Sequence, residues 1–119
     1  VYVDPALIEY AIKLVGATRD PGAIGLKDLG RYISFGASPR ASINLILAAR
    51  ALAYVRGRGY ALPQEVRDLA LDVMRHRVTL SYEAFSDDVT GDDLLKQILE
   101  RIPMPEVPLH ERTPSRRNP

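Results

Sequence analysis

Arg40 is the residue of this chain whose position most invites chemistry. It follows Gly36-Ala37-Ser38-Pro39 and opens a long apolar run. Ser38 is a good helix N-cap and Pro39 a good first helical residue, which puts Arg40 in the first turn of a helix. A cation there meets the positive end of the helix dipole and is disfavoured by roughly 0.3–1 kcal/mol. An anion bound at the same helix end reverses that sign, because free N–H groups and a guanidinium converge on it. The segment therefore reads as a phosphate contact. The plainer alternative is an Arg40 that points into solvent, as most lone surface charges do.

Other residue types that carry chemistry are scarce. His76 stands in Arg75-His76-Arg77 at an expected helix end, where cations complement the dipole. A metal site needs clustered ligands, and the other histidine, His110, falls in the tail, so no metal site is expected. Asp87, Asp88, Asp92 and Asp93 come in adjacent pairs. A calcium loop needs alternating oxygen ligands, a central glycine and a terminal glutamate, so these acids read as a solvated loop and an acidic helix start. No Gly-rich loop ends in Lys-Ser/Thr. Cysteine is absent, and Ser38 and Ser42 have no recognisable histidine partner. By itself the chain is not expected to catalyse a reaction.

The elements that would position Arg40 are helices. Asp4-Pro5 pairs an N-cap with a first-turn proline, and Leu7, Ile8, Ala11, Ile12, Leu14 and Val15 recur at helical spacing, predicting a helix from about Pro5 to about Thr18. Thr18-Arg19 then sets a basic residue at the negative end of the dipole. Asp20-Pro21-Gly22 marks a loop. Leu26 to Phe35 mixes a helical turn with a short extended stretch at Tyr32-Phe35 and reads as a connector that aims the next helix. That helix, about Pro39 to Val55, carries Ile43, Leu45, Ile46, Leu47, Ala48, Ala49, Ala51, Leu52 and Val55 on more than one face. It is expected to be central, with neighbours on several sides, and to end at Gly57. Pro63 starts a third helix with Val66, Leu69, Ala70, Val73 and Met74 on one face. Val78 to Tyr82 predicts a short strand pairing near Phe35 or Tyr60. Glu83 to Asp93 is an acidic loop, and Thr90 caps a fourth helix that Pro103 stops.

At 119 residues one domain is expected. With 16 basic residues against 15 acidic, nothing pulls the whole chain towards nucleic acid or an acidic membrane. The apolar runs are far shorter than the ~20 residues of a membrane span. The start Val1-Tyr2-Val3, with neither Met nor a basic leader, reads as no signal peptide and as a piece excised from a longer polypeptide. The fold expected is all-α, with four main helices around the Pro39–Val55 helix and at most a minor two-stranded element. Residues 1–103 form the domain, and 104–119 a proline- and arginine-rich mobile tail.

Gly36-Ala37-Ser38-Pro39-Arg40-Ala41-Ser42 followed by Ala48-Ala49-Arg50-Ala51 resembles the second-sensor segment of the MoxR family of AAA+ ATPases. Arg56-Gly57-Arg58 with Tyr60 and Leu62-Pro63, then Arg75-His76-Arg77 and Leu80-Ser81-Tyr82-Glu83-Ala84, continue the pattern in order, from about Tyr10 to about Pro103. Thr18-Arg19 matches too. What matches is the family's C-terminal helical lid, without the nucleotide-binding core. The resemblance implies a lid that closes over ATP and couples hydrolysis to chaperone-like remodelling or maturation of protein complexes. Arg40 would be the catalytic residue, reaching the γ-phosphate, and Ser38, Pro39 and Arg40 the nucleotide-binding residues. Gly36 would give backbone freedom, and Ser38 and Pro39 would fix the helix start. ATP and Mg2+ would be cofactors of the full-length parent, with no tight binding to this piece alone.

The implied partners are the parent's AAA+ core, neighbouring subunits of a ring (usually a hexamer) and von Willebrand A-domain proteins, in the cytoplasm. Arg50, Arg56, Arg75 and Arg77 would face other subunits. Two other readings stand beside this one. A protein–protein adaptor bundle would tolerate loss of Arg40. A helical nucleic-acid-binding module would need a basic patch that the near-neutral charge does not supply.

Overall fold

The computed structural model describes residues 1–106. The expected tail, 104–119, falls mostly outside the described residues. Five α-helices and one small sheet make up the described chain, joined by two 3-10 turns at Pro21–Ile24 and Lys27–Tyr32.

Helix α1 spans Pro5–Arg19. Asp4 caps it by accepting from the Ala6 N–H at 2.9 Å, and Pro5 occupies the first turn, where no N–H is missed. Leu7, Tyr10, Ala11, Leu14 and Val15 are buried along one stripe. Strand β1, Ile33–Phe35, pairs antiparallel with β2, Thr79–Leu80. The pairing matches Ile33 to Leu80 and Phe35 to Thr79, with an irregular register between them. Of the two partners expected for the second strand, Phe35 is the one used; Tyr60 instead forms a parallel bridge with Tyr2.

Helix α2 spans Arg40–Val55 and packs against α1 and α3, Pro63–Met74. Its buried stripe is Ala41, Leu45, Ala49 and Ala53, at four-residue steps. Three alanines in that stripe let the neighbouring backbones come close. At its C-terminus Gly57 takes φ +82°. The Arg58 N–H reaches Ala53 O, and the Gly57 N–H reaches Tyr54 O. This pair of bonds satisfies the last carbonyls around a left-handed glycine.

Helix α5, Gly91–Arg101, buries Leu94, Leu95, Ile98 and Leu99. Thr90 and Asp93 cap it reciprocally: the Asp93 N–H donates to Thr90 Oγ1 at 3.1 Å, and the Thr90 N–H to Asp93 Oδ2 at 3.0 Å. No helix of the described chain is long and apolar enough to cross a membrane.

Two expectations are corrected. The acidic stretch after Leu80 is not all loop, for Tyr82–Ser86 forms a short helix, α4, with Ala84 buried. Tyr82 therefore leaves the expected strand. The reason lies at Ser81, whose N–H donates to Tyr32 O and whose Oγ donates to Arg31 O, which ends the sheet and turns the chain. The second correction is larger. Helix α2 is central to the packing but not enclosed: Ile43 is 60% exposed, Leu47 54%, Tyr54 74% and Val55 79%. Its second apolar face has no covering element among the described residues.

Candidate functional site

The turn that delivers Arg40 is held from outside its own helix. Thr18, at the end of α1, is buried. Its Oγ1 donates to Val15 O at 2.6 Å and accepts from the Ala37 N–H at 2.8 Å. Arg19 Nη1 donates to Ala37 O at 3.1 Å. Both backbone groups of Ala37 are thus fixed by consecutive side chains of α1. Gly36 lies so close to α1 that a Cβ there would stand 2.5 Å from Thr18 O. Its φ is not positive, unlike those of Gly25 and Gly57. The expected backbone freedom of Gly36 is therefore replaced by a steric role, close approach of two backbones.

The expected Ser38 cap is also corrected. Pro39, at φ −55° and ψ −25°, holds the cap position of α2, which has no side-chain capping bond. Ser38 O accepts from the Ala41 N–H at 2.9 Å. Pro39 O accepts from the Ser42 N–H at 3.1 Å and from Ser42 Oγ at 2.6 Å. Because the turn is already clamped at Ala37, the Ser38 hydroxyl is not needed as a cap and stays at the surface.

Arg40 is exposed and has no hydrogen-bond or ion-pair partner among the described residues. It lines an open cleft of about 620 Å³ together with Arg19, Ser38, Pro39, Ser42, Ile12, Val15 and Ile43. All three residues singled out from the sequence, Ser38, Pro39 and Arg40, therefore share one wall with a second arginine. A smaller groove of about 260 Å³ shares Ile12, Ser42 and Ile43 with it and runs on along Ile8, Ile46 and Leu47. Cationic cleft and apolar groove are one continuous surface between α1 and α2.

The other arginines differ. Arg56 Nη1 donates to Glu65 Oε2 at 2.8 Å, and Arg56 Nη2 pairs with Asp68 at 3.0 Å. Arg58 pairs with the same Glu65. Glu65 itself is buried and accepts the Leu62 N–H at 2.8 Å, which satisfies the start of α3. Burial would push its carboxyl up, but Arg58, the Leu62 N–H and Arg56 outweigh burial and hold it below its ordinary value. Arg75 bonds Asp92 through Nε at 2.7 Å and Nη2 at 3.1 Å, tying α3 to α5. Arg56 and Arg75, read from sequence as subunit-facing, thus each hold this chain together. Arg50 and Arg77 are exposed and, like Arg40, have no partner among the described residues. No three His, Asp or Glu side chains of the described residues group for a metal.

In the sequence Thr18-Arg19 reads as a basic helix end and as a match to the family segment, but not as a clamp on Ala37. A signal was present: Thr18 extends the stripe Leu7, Ala11, Leu14, so a polar group was due to be buried and to need a partner.

The described residues form a helical bundle with a free arginine at the start of its central helix, beside a bare apolar groove. Comparison with known proteins gives its family. Residues 28–98 match the AAA lid domain family, and the chain belongs to it. Over 106 residues it is 42% identical to Chaperone MoxR1 of Mycobacterium tuberculosis, covering 89% of this chain and 28% of that protein. It is 43% identical over 84 residues to Protein MoxR of Paracoccus denitrificans, covering 67% of this chain and 25% of that one. A solved structure of a Cytophaga hutchinsonii protein, proposed to be an ATPase, superposes with a TM-score of 0.85 at 37% identity, covering 89% of this chain and 32% of that one. The chain thus spans about a third or less of the length of these relatives and corresponds to the helical lid of a MoxR-type AAA+ ATPase.

Proposed function

We propose that this lid closes over ATP bound to an AAA+ core and that Arg40 is its catalytic contact, reaching the terminal phosphate. The observation that carries the reading is the unpaired Arg40 guanidinium, set at a helix start and facing the same cleft as Arg19. Arg56, Arg58 and Arg75 pair within the bundle; Arg40 is left at the edge of an apolar face with no covering element among the described residues.

The residues fit a phosphate. Arg40 offers planar donors suited to phosphate oxygens, and Ser38 and Pro39 set the backbone from which it projects. The nucleotide supplies the phosphoryl group that is transferred. Arg40 supplies positive charge where negative charge spreads during transfer, a role worth ~10³–10⁵ in rate in related systems. Magnesium ligands, in this reading, come from the core. The apolar groove along Ile8, Ile12, Ile43 and Leu47 is the face that docks on that core, so closure removes it from water. Losing the terminal phosphate removes the Arg40 contact and frees the lid to shift as a rigid body.

The wider role follows the relatives. One is named a chaperone, which supports a chaperone-like function in maturing protein complexes. We extend this to a ring of subunits, a hexamer, working in the cytoplasm with von Willebrand A-domain partners, and to Arg50 and Arg77 as subunit-facing residues. Residues 1–103 would be the lid, and 104–119 a tail. The adaptor alternative draws on the same bare groove, but leaves Arg40 idle.

The test is Arg40→Ala in the full-length protein that carries this lid. ATP turnover falls tenfold or more, a conservative share of what a phosphate-contacting arginine supplies, while the melting temperature stays within about 2 °C, as for a surface substitution. Unchanged turnover would remove Arg40 from the catalytic role and leave the adaptor reading.

A further inference from the structure

We infer that Thr18 and Arg19 are positioning residues for Arg40: consecutive side chains at the end of α1 grip both backbone groups of Ala37 and so set where α2 begins and where the Arg40 side chain can reach. The inference rests on the reading of Arg40 given above and adds a part of the site that lies 22 residues upstream in sequence, between Thr18 and Arg40.

Three observations converge. The Ala37 N–H is buried against Thr18 Oγ1 at 2.8 Å, and that hydroxyl is itself oriented by its donation to Val15 O at 2.6 Å. A hydroxyl whose proton is already committed presents its lone pairs to the incoming N–H, so its orientation is fixed. The Ala37 carbonyl is held from the other side by Arg19 Nη1 at 3.1 Å. Gly36 seats the turn directly on the Thr18 backbone, with no room for a side chain. Between Ala37 and Arg40 only Ser38 and Pro39 intervene, and the proline ring fixes one of the few soft torsions that remain. The start of α2 has no side-chain cap of its own. Its placement therefore falls to α1, and a shift of about 1 Å at such a turn is enough to cost 10²-fold when a reacting group must be held in register.

Arg19 borders the cleft as well, but its link to Ala37 O gives it a task that does not require touching the nucleotide. Thr18 is buried and bonds only to backbone, so any effect it has on turnover must pass through the turn.

The experiment uses the full-length protein with Thr18→Val, Thr18→Ser, Arg19→Ala, Arg40→Ala and the doubles that combine Arg40→Ala with Thr18→Val or with Arg19→Ala. Turnover is read as kcat and KM for ATP. Thr18→Val is expected to lower kcat about fivefold or more, with Thr18→Ser restoring it because the hydroxyl returns. Each double should be no slower than Arg40→Ala alone, since a positioning residue has nothing left to position. Exchange of the Ala37 amide should quicken in Thr18→Val.

Losses that multiply in the doubles would overturn the inference, because Thr18 and Arg19 would then act independently of Arg40. So would full turnover in Thr18→Val when Arg40→Ala is slow. If Thr18→Val unfolds, the exposed Arg19→Ala and its double decide alone. Full turnover in Arg40→Ala brings down the catalytic reading of Arg40 and the positioning roles with it, a result distinct from a failure of the clamp by itself.

Discussion

The two flanks of α2 treat the same residue types in opposite ways. Towards α3 and α5, apolar side chains are buried and three arginines are ion-paired: Arg56 and Arg58 converge on Glu65, and Arg75 grips Asp92. Towards the outer face shared with α1, Ile12, Ile43 and Leu47 are half exposed or more, and Arg40 and Arg50 have no partner among the described residues. A chain selected only to fold alone would gain by making the second flank polar, since bare apolar rows invite association. The asymmetry marks the α3/α5 flank as the part that makes the lid, and the α1/α2 face as the part the lid offers.

The sharpest way to break that comparison uses two leucines two positions apart on α2. Leu45 is fully buried and Leu47 is 54% exposed. Leu45→Ala should cost this chain about 3 kcal/mol, from lost transfer energy and an unfilled cavity. Leu47→Ala should cost under about 0.5 kcal/mol. Urea denaturation followed by circular dichroism measures both. Equal costs would mean that the outer face is packed after all.

A smaller effect is expected at Glu65. Replacing it by Gln keeps the shape but removes the charge that Arg56 and Arg58 share, and should cost about 1–3 kcal/mol, the range for a buried group losing a charged partner. The pH dependence gives its sign. The folded carboxyl lies below its ordinary value of 4.5, so in the window between the two the unfolded chain binds more protons and stability rises with pH. The contribution of Glu65 is complete above about pH 5 and fades as pH drops through the folded value. Asp92, lowered chiefly by its bond to Arg75, and Asp93, lowered chiefly by the Thr90 N–H, act in the same direction. Glu65→Gln should therefore flatten the acid limb without abolishing it, measured as urea midpoints from pH 3 to 7.

Which of these features could be read from residues alone follows from how local their causes are. The Asp4 and Thr90 caps, the Gly57 stop, the helix at Pro63 and the strand near Thr79 depend on neighbours in sequence, and each was visible. The Ser38 cap was expected and is absent, because the turn before α2 is held at Ala37 by Thr18 and Arg19, across the gap between two helices. Gly36 was legible as an unusual residue but not as one of close approach, which depends on where α1 ends. The roles of Arg56 and Arg75 depended on Glu65 and Asp92, on other helices. Apolar periodicity told that α2 has two faces to bury; it could not tell that only one has its partner here.

The least effect is expected at the Arg75–Asp92 pair, and it sharpens the comparison from within the paired flank. Two parallel bonds, from Nε and Nη2 to the two carboxylate oxygens, give this pair good geometry. Yet both side chains are more than a third exposed, at 38% and 37%, whereas that of Glu65 is 1% exposed. Solvent and salt reach both partners of the first pair but not the Glu65 carboxylate of the second. Arg75→Ala should lower the urea midpoint less than Glu65→Gln does, and most of that loss should vanish at 1 M NaCl, where the Debye length is about 3 Å. The Glu65→Gln loss should persist at the same salt. If the Arg75 loss persisted equally, the link between α3 and α5 would belong with the buried clamp at Glu65, and the dividing line would run between the two faces of α2 alone.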